Sequence, residues 1–182
     1  MNKILIIVDM QNDFINGSLG SNSAQAIVEN VVRKIENFNG DAIILTMDTH
    51  KPNYLETQEG RRLPVEHCIE NTNGWRINTQ VIEALETKEC PVHTLMKSTF
   101  GAKNIADMIS SAMKLQNIDE KNLEIELIGL DTDICVISNA LLIKAFFLDA
   151  QVKIDSSCCA GTSTAAHEAA LAVAKSCQID VI

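Results

Sequence analysis

Met1-Asn2-Lys3-Ile4-Leu5-Ile6-Ile7-Val8-Asp9 opens the chain, and from Ile4 to Val8 it carries no polar side chain. An aliphatic run of this length, ended by an acid, reads as a strand buried on both faces. Comparable runs of strand length recur, so that the candidates are Lys3–Val8, Asp41–Met47, Val92–Met96, Leu123–Leu130, Gln151–Ile154 and Gln178–Ile182. Helical spacing fills the gaps between them. Ser23–Phe38 sets Ala24, Ile27, Val28, Val31, Val32 and Ile35 on one face. Ala102–Leu115, Ile134–Leu148 and Ser163–Lys175 repeat the pattern, and Thr79–Leu85 is a shorter version of it. Strands alternating with helices predict an α/β fold: a parallel sheet with right-handed crossovers and helices on both faces. No repeat, linker or low-complexity tract divides the chain, so residues 1–182 are expected to form one domain.

Composition narrows the function classes. A net charge of −9 with scattered basic residues disfavours a nucleic-acid partner, which would need a basic patch. No apolar run approaches the ~20 residues of a membrane span. The apolar N-terminal stretch is too short for a signal peptide and meets Asp9 where small residues would be needed. A cytoplasmic protein is expected. Six cysteines, at 68, 90, 135, 158, 159 and 177, form no CxxC pair and are expected to be free thiols.

In an open α/β sheet the ligand sits beyond the carboxyl ends of the strands. Four segments should meet there: Asp9–Phe14, Asp48–His67, Lys97–Gly101 and Leu130–Cys135. The irregular stretch Asp48–Asn78 is long enough to suggest function. Cys135 falls where a strand gives way to a helix. A thiol in that first turn would feel the positive end of the helix dipole, which favours thiolate. Asp9 could accept its proton, and Lys97 could stabilise the resulting charge. Read singly, Asp9 could cap a turn, Lys97 could be solvated and Cys135 could pack in the core. Those readings serve the three poorly together, because each residue ends a central strand on the same rim.

Val8-Asp9-Met10-Gln11-Asn12-Asp13-Phe14, Lys97-Ser98-Thr99-Phe100-Gly101 and Gly129-Leu130-Asp131-Thr132-Asp133-Ile134-Cys135-Val136 resemble the three signature segments of the isochorismatase-like cysteine hydrolases, a family that includes nicotinamidases. The resemblance spans nearly the whole chain. It implies a single-domain, three-layer fold around a six-stranded parallel sheet. It also implies a catalytic triad of Asp9, Lys97 and Cys135 and a cis peptide before Asp131. The N–H groups of Asp131 and Cys135 would then form an oxyanion hole. Small residues are common at the position of Asp131, so its carboxylate is expected to turn away from that hole.

Asp48-Thr49-His50, with Glu59 and His67 further along the same segment, offers ligands that suit a divalent metal such as zinc or iron. Spacing alone leaves His50 equally well placed as a loop hydrogen-bonder. Similarity to nicotinamidases adds weight to a metal, most simply zinc, with iron or manganese as alternatives. The implied ligands are Asp48, His50, His67 and Glu59, with Glu56 close enough to compete for the third place. His93 and His167 match no motif and are read as structural.

Nicotinamidases typically flank the substrate ring with aromatics. Here Leu63 stands where Trp is frequent, and Ile134 replaces the usual His or aromatic. Phe14 and Phe100 remain as ring contacts, with Tyr54 and Trp75 as further candidates. The resemblance thus implies a nicotinamidase-like amidohydrolase, working through a thioester and assembled as a homo-oligomer. The alternatives are another amide or carbamoyl hydrolase and, more distantly, a non-enzymatic α/β binding module. The module would call for a glycine-rich phosphate loop, and Gly17 and Gly20 do not make one.

Overall fold

The computed structural model describes residues 1–182. Six strands form one sheet in the order β3-β2-β1-β4-β5-β6, and every pairing is parallel. The strands are β1 (Asn2–Val8), β2 (Ala42–Asp48), β3 (Val92–Lys97), β4 (Leu123–Leu130), β5 (Gln151–Ala160) and β6 (Asp180–Val181). Alternate side chains of β1 feed two apolar layers. Ile4, Ile6 and Val8 enter the layer shared with helices α6 (Ile105–Gln116), α7 (Ile137–Phe146) and α8 (Thr164–Ser176). Leu5 and Ile7 enter the layer shared with α3 (Val28–Asn37) and α5 (Thr79–Glu86). Two covered faces are why the strand shows no polar alternation. The three-layer α/β architecture read from the sequence is the one observed.

The differences have physical causes. The expected helix Ser23–Phe38 is two helices, α2 (Asn22–Ala26) and α3, which meet at Ile27, itself still right-handed helical at φ −83 and ψ −14. Ser21 caps the first by accepting from the Ala24 N–H at 3.0 Å. Ile27 and Val28 then both reach the apolar layer. Strand β5 continues past Ile154 through Asp155-Ser156-Ser157, a polar stretch that hides it from a hydropathy reading. Lys34, from α3, lies 2.7 Å from both Asp155 and Glu126, so these half-buried polar groups are paired across elements. The C-terminal strand is shorter than expected, with only Asp180 and Val181 paired to β5.

The segment after β2 is less irregular than its composition suggests. It contains a single 3-10 turn, Tyr54–Glu56, and the short helix α4 (Gln58–Arg62), where Thr57 accepts from the Gly60 N–H at 3.0 Å. Bridges from His50 to Ile69 and from Gln11 to Ile77 fasten the segment to the strand ends. The short helix α1 (Asn12–Ile15) packs beneath it.

Gly129, near the end of β4, has φ +118, and a Cβ there would lie 2.1 Å from the Val8 carbonyl oxygen. The adjoining strands β1 and β4 therefore approach through a glycine. The following Leu130–Asp131 peptide is cis, as the resemblance implied. Gly129→Ala is expected to lower the unfolding free energy by more than ~2 kcal/mol, seen as a reduced urea midpoint. An unchanged midpoint would contradict the close strand approach.

Candidate active site

Four neighbouring strands deliver the chemistry to one rim. Asp9 follows β1, Asp48 ends β2, Lys97 ends β3, and Cys135 lies in the π-helical turn Thr132–Val136 that leads from β4 into α7. Lys97 Nζ is 2.6 Å from Asp9 Oδ2, 3.5 Å from Cys135 Sγ and 3.6 Å from Asp48 Oδ1. All four residues are buried. Asp9 adopts φ 49, a conformation that Asp tolerates better than most residues. Thr46 fixes it by donating from Oγ1 to Asp9 Oδ1 at 2.7 Å. Oδ2 is paired with the Lys97 ammonium at 2.6 Å.

Burial pushes the Asp9 carboxyl up, with Lys97 opposing and Asp48 reinforcing, which makes it a stronger base. Burial opposes the charge on Lys97, but the carboxylates of Asp9 and Asp48 hold its ammonium protonated. The thiolate favoured by the sequence reading does not follow. Burial and the Asp9 carboxylate push the Cys135 thiol well up, and the opposing pull of Lys97 is too small to reverse this. The proton therefore rests on sulfur until a base removes it. Cys68, Cys158 and Cys159 are also buried free thiols raised by burial, Cys158 to about 11.

Asp48, His50 and His67 bring ligand atoms within 4.8 Å of one another. His50 Nε2 is 2.9 Å from Asp48 Oδ2 and 3.8 Å from Glu59 Oε1. His67 Nε2 is 3.5 Å and 4.0 Å from the same two oxygens. Ligand bonds of ~2.0–2.2 Å put neighbouring donors roughly 3–4 Å apart, so this set fits a transition metal. His67 Nδ1 lies 2.8 Å from the Val65 carbonyl, an arrangement that leaves Nε2 as the free donor. Burial would raise the Asp48 carboxyl, but hydrogen bonds to His50 and His67 and the charge of Lys97 hold it well below the usual carboxylate range. Glu59, rather than Glu56, faces this cluster.

A cavity of about 380 Å³ opens over these groups. Phe14 and Phe100, expected as ring contacts, line it together with Leu63 and Ile134, the aliphatic residues that replace the family's usual ring-flanking side chains. Asp48, Glu59, His67, Asp131 and Cys135 supply its polar wall. Tyr54 and Trp75 do not line it. Tyr54 is buried with its ring 4.7 Å from His50 and 4.9 Å from His67, and its hydroxyl donates to the Leu63 carbonyl. Trp75 donates from Nε1 to Thr49. His167 contacts Thr132 Oγ1 at 2.8 Å and His93 stays on β3, neither lining the cavity.

Asp131 stands on the cavity wall. Burial first, then the charges of Asp133 and Asp9, push its carboxyl up to about 7, so near neutrality much of it is uncharged. Its backbone N–H donates to no protein group, while the Ile134 and Val136 N–H groups both turn back to the Asp131 carbonyl. An unpartnered N–H beside a nucleophile can receive a developing oxyanion.

Three supporting residues escaped the sequence reading. Gln11 grips Asp48 from both sides, donating to its carbonyl at 2.8 Å and accepting from its N–H at 2.7 Å. Thr46 orients Asp9, as above. Asn139 donates to the carbonyls of Cys135 and Phe100 and accepts from the Ala102 N–H, joining α7 to the loop after β3. Its position one turn after Cys135 was the available signal.

Because carboxylate and ammonium act on the thiolate with opposite signs, Asp9→Asn is expected to lower the pH midpoint for alkylation of Cys135. Lys97→Met is expected to raise it. Iodoacetamide labelling across pH, resolved by peptide mapping, reads both, and shifts of the same sign would contradict the arrangement.

Against known proteins, the isochorismatase domain model matches residues 3–182. A nicotinamidase of Schizosaccharomyces pombe is 29% identical over an alignment covering 98% of this chain and 91% of its own. The crystal structure of a Bacillus subtilis nicotinamidase/pyrazinamidase superposes with TM-score 0.82 at 27% identity, covering 100% and 99% of the two chains. A Pyrococcus horikoshii pyrazinamidase, solved in complex with zinc, shares the fold at TM-score 0.76 and 22% identity, with 100% and 99% covered.

Proposed function

This chain belongs to the isochorismatase domain family, and on that basis we propose that it is a cysteine amidohydrolase of the nicotinamidase type, converting nicotinamide to nicotinic acid and ammonia. The observation that carries the reading is the placement of Asp9, Lys97 and Cys135 around one buried contact beneath a small cavity with aromatic and aliphatic walls. That is what a carboxamide on a flat ring requires.

Asp9 Oδ2 takes the thiol proton as sulfur attacks the amide carbon. The carbonyl oxygen becomes an oxyanion, held by the N–H groups of Asp131 and Cys135. Asp9 returns the proton to the leaving nitrogen, ammonia departs, and a thioester remains on Cys135. Water, deprotonated by Asp9, attacks the thioester carbon and releases the carboxylic acid with the thiol restored. Lys97 stays protonated throughout and offsets the negative charge that Asp9 and sulfur exchange. The resting thiol suits this sequence, since base and nucleophile are neighbours and proton transfer can accompany attack.

Asp48, His50, His67 and Glu59 would hold a divalent metal, with zinc the simplest occupant and iron or manganese possible. Bound there, it would supply Lewis acidity toward a substrate ring nitrogen or a water. Gln11 fixes the Asp48 backbone, and Tyr54 packs both imidazoles, so the donor set is shaped by protein contacts. No helix is long and apolar enough to cross a membrane. A cytoplasmic homo-oligomer belongs to the same proposal, and exposed Phe146 and Leu148 are apolar surface that self-association would cover.

Ammonia release from nicotinamide and pyrazinamide tests the reading, and Cys135→Ala should reduce turnover by at least ~1,000-fold with the fold intact. Absence of ammonia from a panel of aromatic and carbamoyl amides would overturn it. Elemental analysis should find about one divalent ion per chain, lost in His50→Ala and in His67→Ala. A protein still empty after incubation with zinc, manganese or iron would remove the metal from the account.

A further inference from the structure

Asp131 carries the one ionisable side chain on the cavity wall that the amidase reading leaves without a task. Asp48, Glu59 and His67 belong to the metal donors, and Cys135 is the nucleophile. The Asp131 backbone serves the oxyanion, but its carboxyl accepts no hydrogen bond from the protein and joins no ion pair. Asp133, two residues on, shows the contrast. Its two oxygens accept from the Thr162 N–H at 2.8 Å and from the Thr162 hydroxyl at 2.6 Å.

Among the protein's own side chains, none is free to pair with Asp131. Asp133 and Asp9 repel its charge, and the opposing pull of His67 is the smallest influence on it. Lys97 is engaged with Asp9. The apolar wall of Phe14, Leu63, Phe100 and Ile134 offers no donor, and the two hydroxyls that line the cavity are engaged elsewhere, Thr162 with Asp133 and Ser21 with Ser23 and the Ala24 N–H. A half-buried carboxyl in such a setting gains from a ligand donor that replaces its water. An N–H on the substrate would do so, whereas a carboxylate on the substrate would meet like charge.

We infer that Asp131 sets the substrate class of this site: carboxamides that carry a second hydrogen-bond donor, an amino nitrogen beside the scissile amide, with carboxylate-bearing amides rejected. The inference rests on the amidase reading and narrows it. A site built around a hydrogen bond discriminates strongly against an analogue that lacks the group, because the protein partner is then stranded.

Binding can be separated from turnover in the Cys135→Ala protein, purified with its metal. Calorimetry at mildly alkaline pH, where Asp131 is ionised, would compare nicotinamide with analogues bearing an amino group at each free ring carbon in turn. A matching carboxy-substituted series completes the set. The best amino analogue is expected to bind about 10- to 100-fold tighter than nicotinamide, the range for a hydrogen bond to a charged group. That advantage should fall below about threefold when Asp131→Ala is added, and likewise with Asp131→Asn, which keeps the size of the side chain. The carboxy analogues should gain affinity in both double variants. Equal binding of amino analogues and nicotinamide, or an advantage that survives both substitutions, would overturn this inference alone. Failure of every amide to bind would overturn the amidase reading and this inference with it.

Discussion

A lysine ammonium buried against two carboxylates organises this protein. Lys97 lies 2.6 Å from Asp9 and 3.6 Å from Asp48, with almost no contact with solvent. An ammonium stripped of water is expensive by several kcal/mol unless charges and hydrogen bonds replace the hydration. The fold supplies them from its three adjacent strands β1, β2 and β3, whose carboxyl ends are held in register by parallel pairing. The order β3-β2-β1-β4 then places the turn holding Cys135 next to the pair. A different strand order would leave the lysine either exposed or uncompensated.

That pair also governs the thiol. A lysine beside a cysteine is commonly expected to favour thiolate, and the start of a helix adds to the expectation. Here Asp9 already occupies the lysine, so the field at sulfur is that of an ion pair and not of a lone cation. Burial then decides the balance, and the thiol keeps its proton. The same burial makes Asp9 more basic. Base strength and thiol protonation are two results of one dry environment, and they suit a step in which proton transfer and attack occur together.

Asp48 links the two halves of the site. One oxygen faces Lys97, and the other faces the imidazoles of His50 and His67. Its backbone is gripped by Gln11, which reaches across from the start of α1. A change in the proposed metal site should therefore be felt at the lysine, and through it at the thiol. The apolar part of the cavity wall, Phe14, Leu63, Phe100 and Ile134, by contrast, lies outside this network. Substrate preference and catalytic chemistry can thus vary separately, and Asp131 is the residue at which the two meet.

The sequence by itself determined the parallel sheet, the helices on both faces and the rim on which the chemistry gathers. Aliphatic runs such as Ile4–Val8 and Leu127–Ile128 can satisfy their burial in few other ways. It also marked Asp9, Lys97 and Cys135, because chemically distinctive residues closed successive strands, while the resemblance to nicotinamidases pointed to Asp48, His50, His67 and Glu59 as donors. It missed the polar end of β5, whose burial depends on Lys34 from a distant helix. Gln11 and Asn139 escaped it as well, since an amide side chain shows its purpose only when its partners are in place. The protonation of Cys135 and the exposure of Asp131 to the cavity were decided by tertiary structure alone. Both depend on the sum of burial and several charges brought close by folding, and no local stretch of sequence contains that sum.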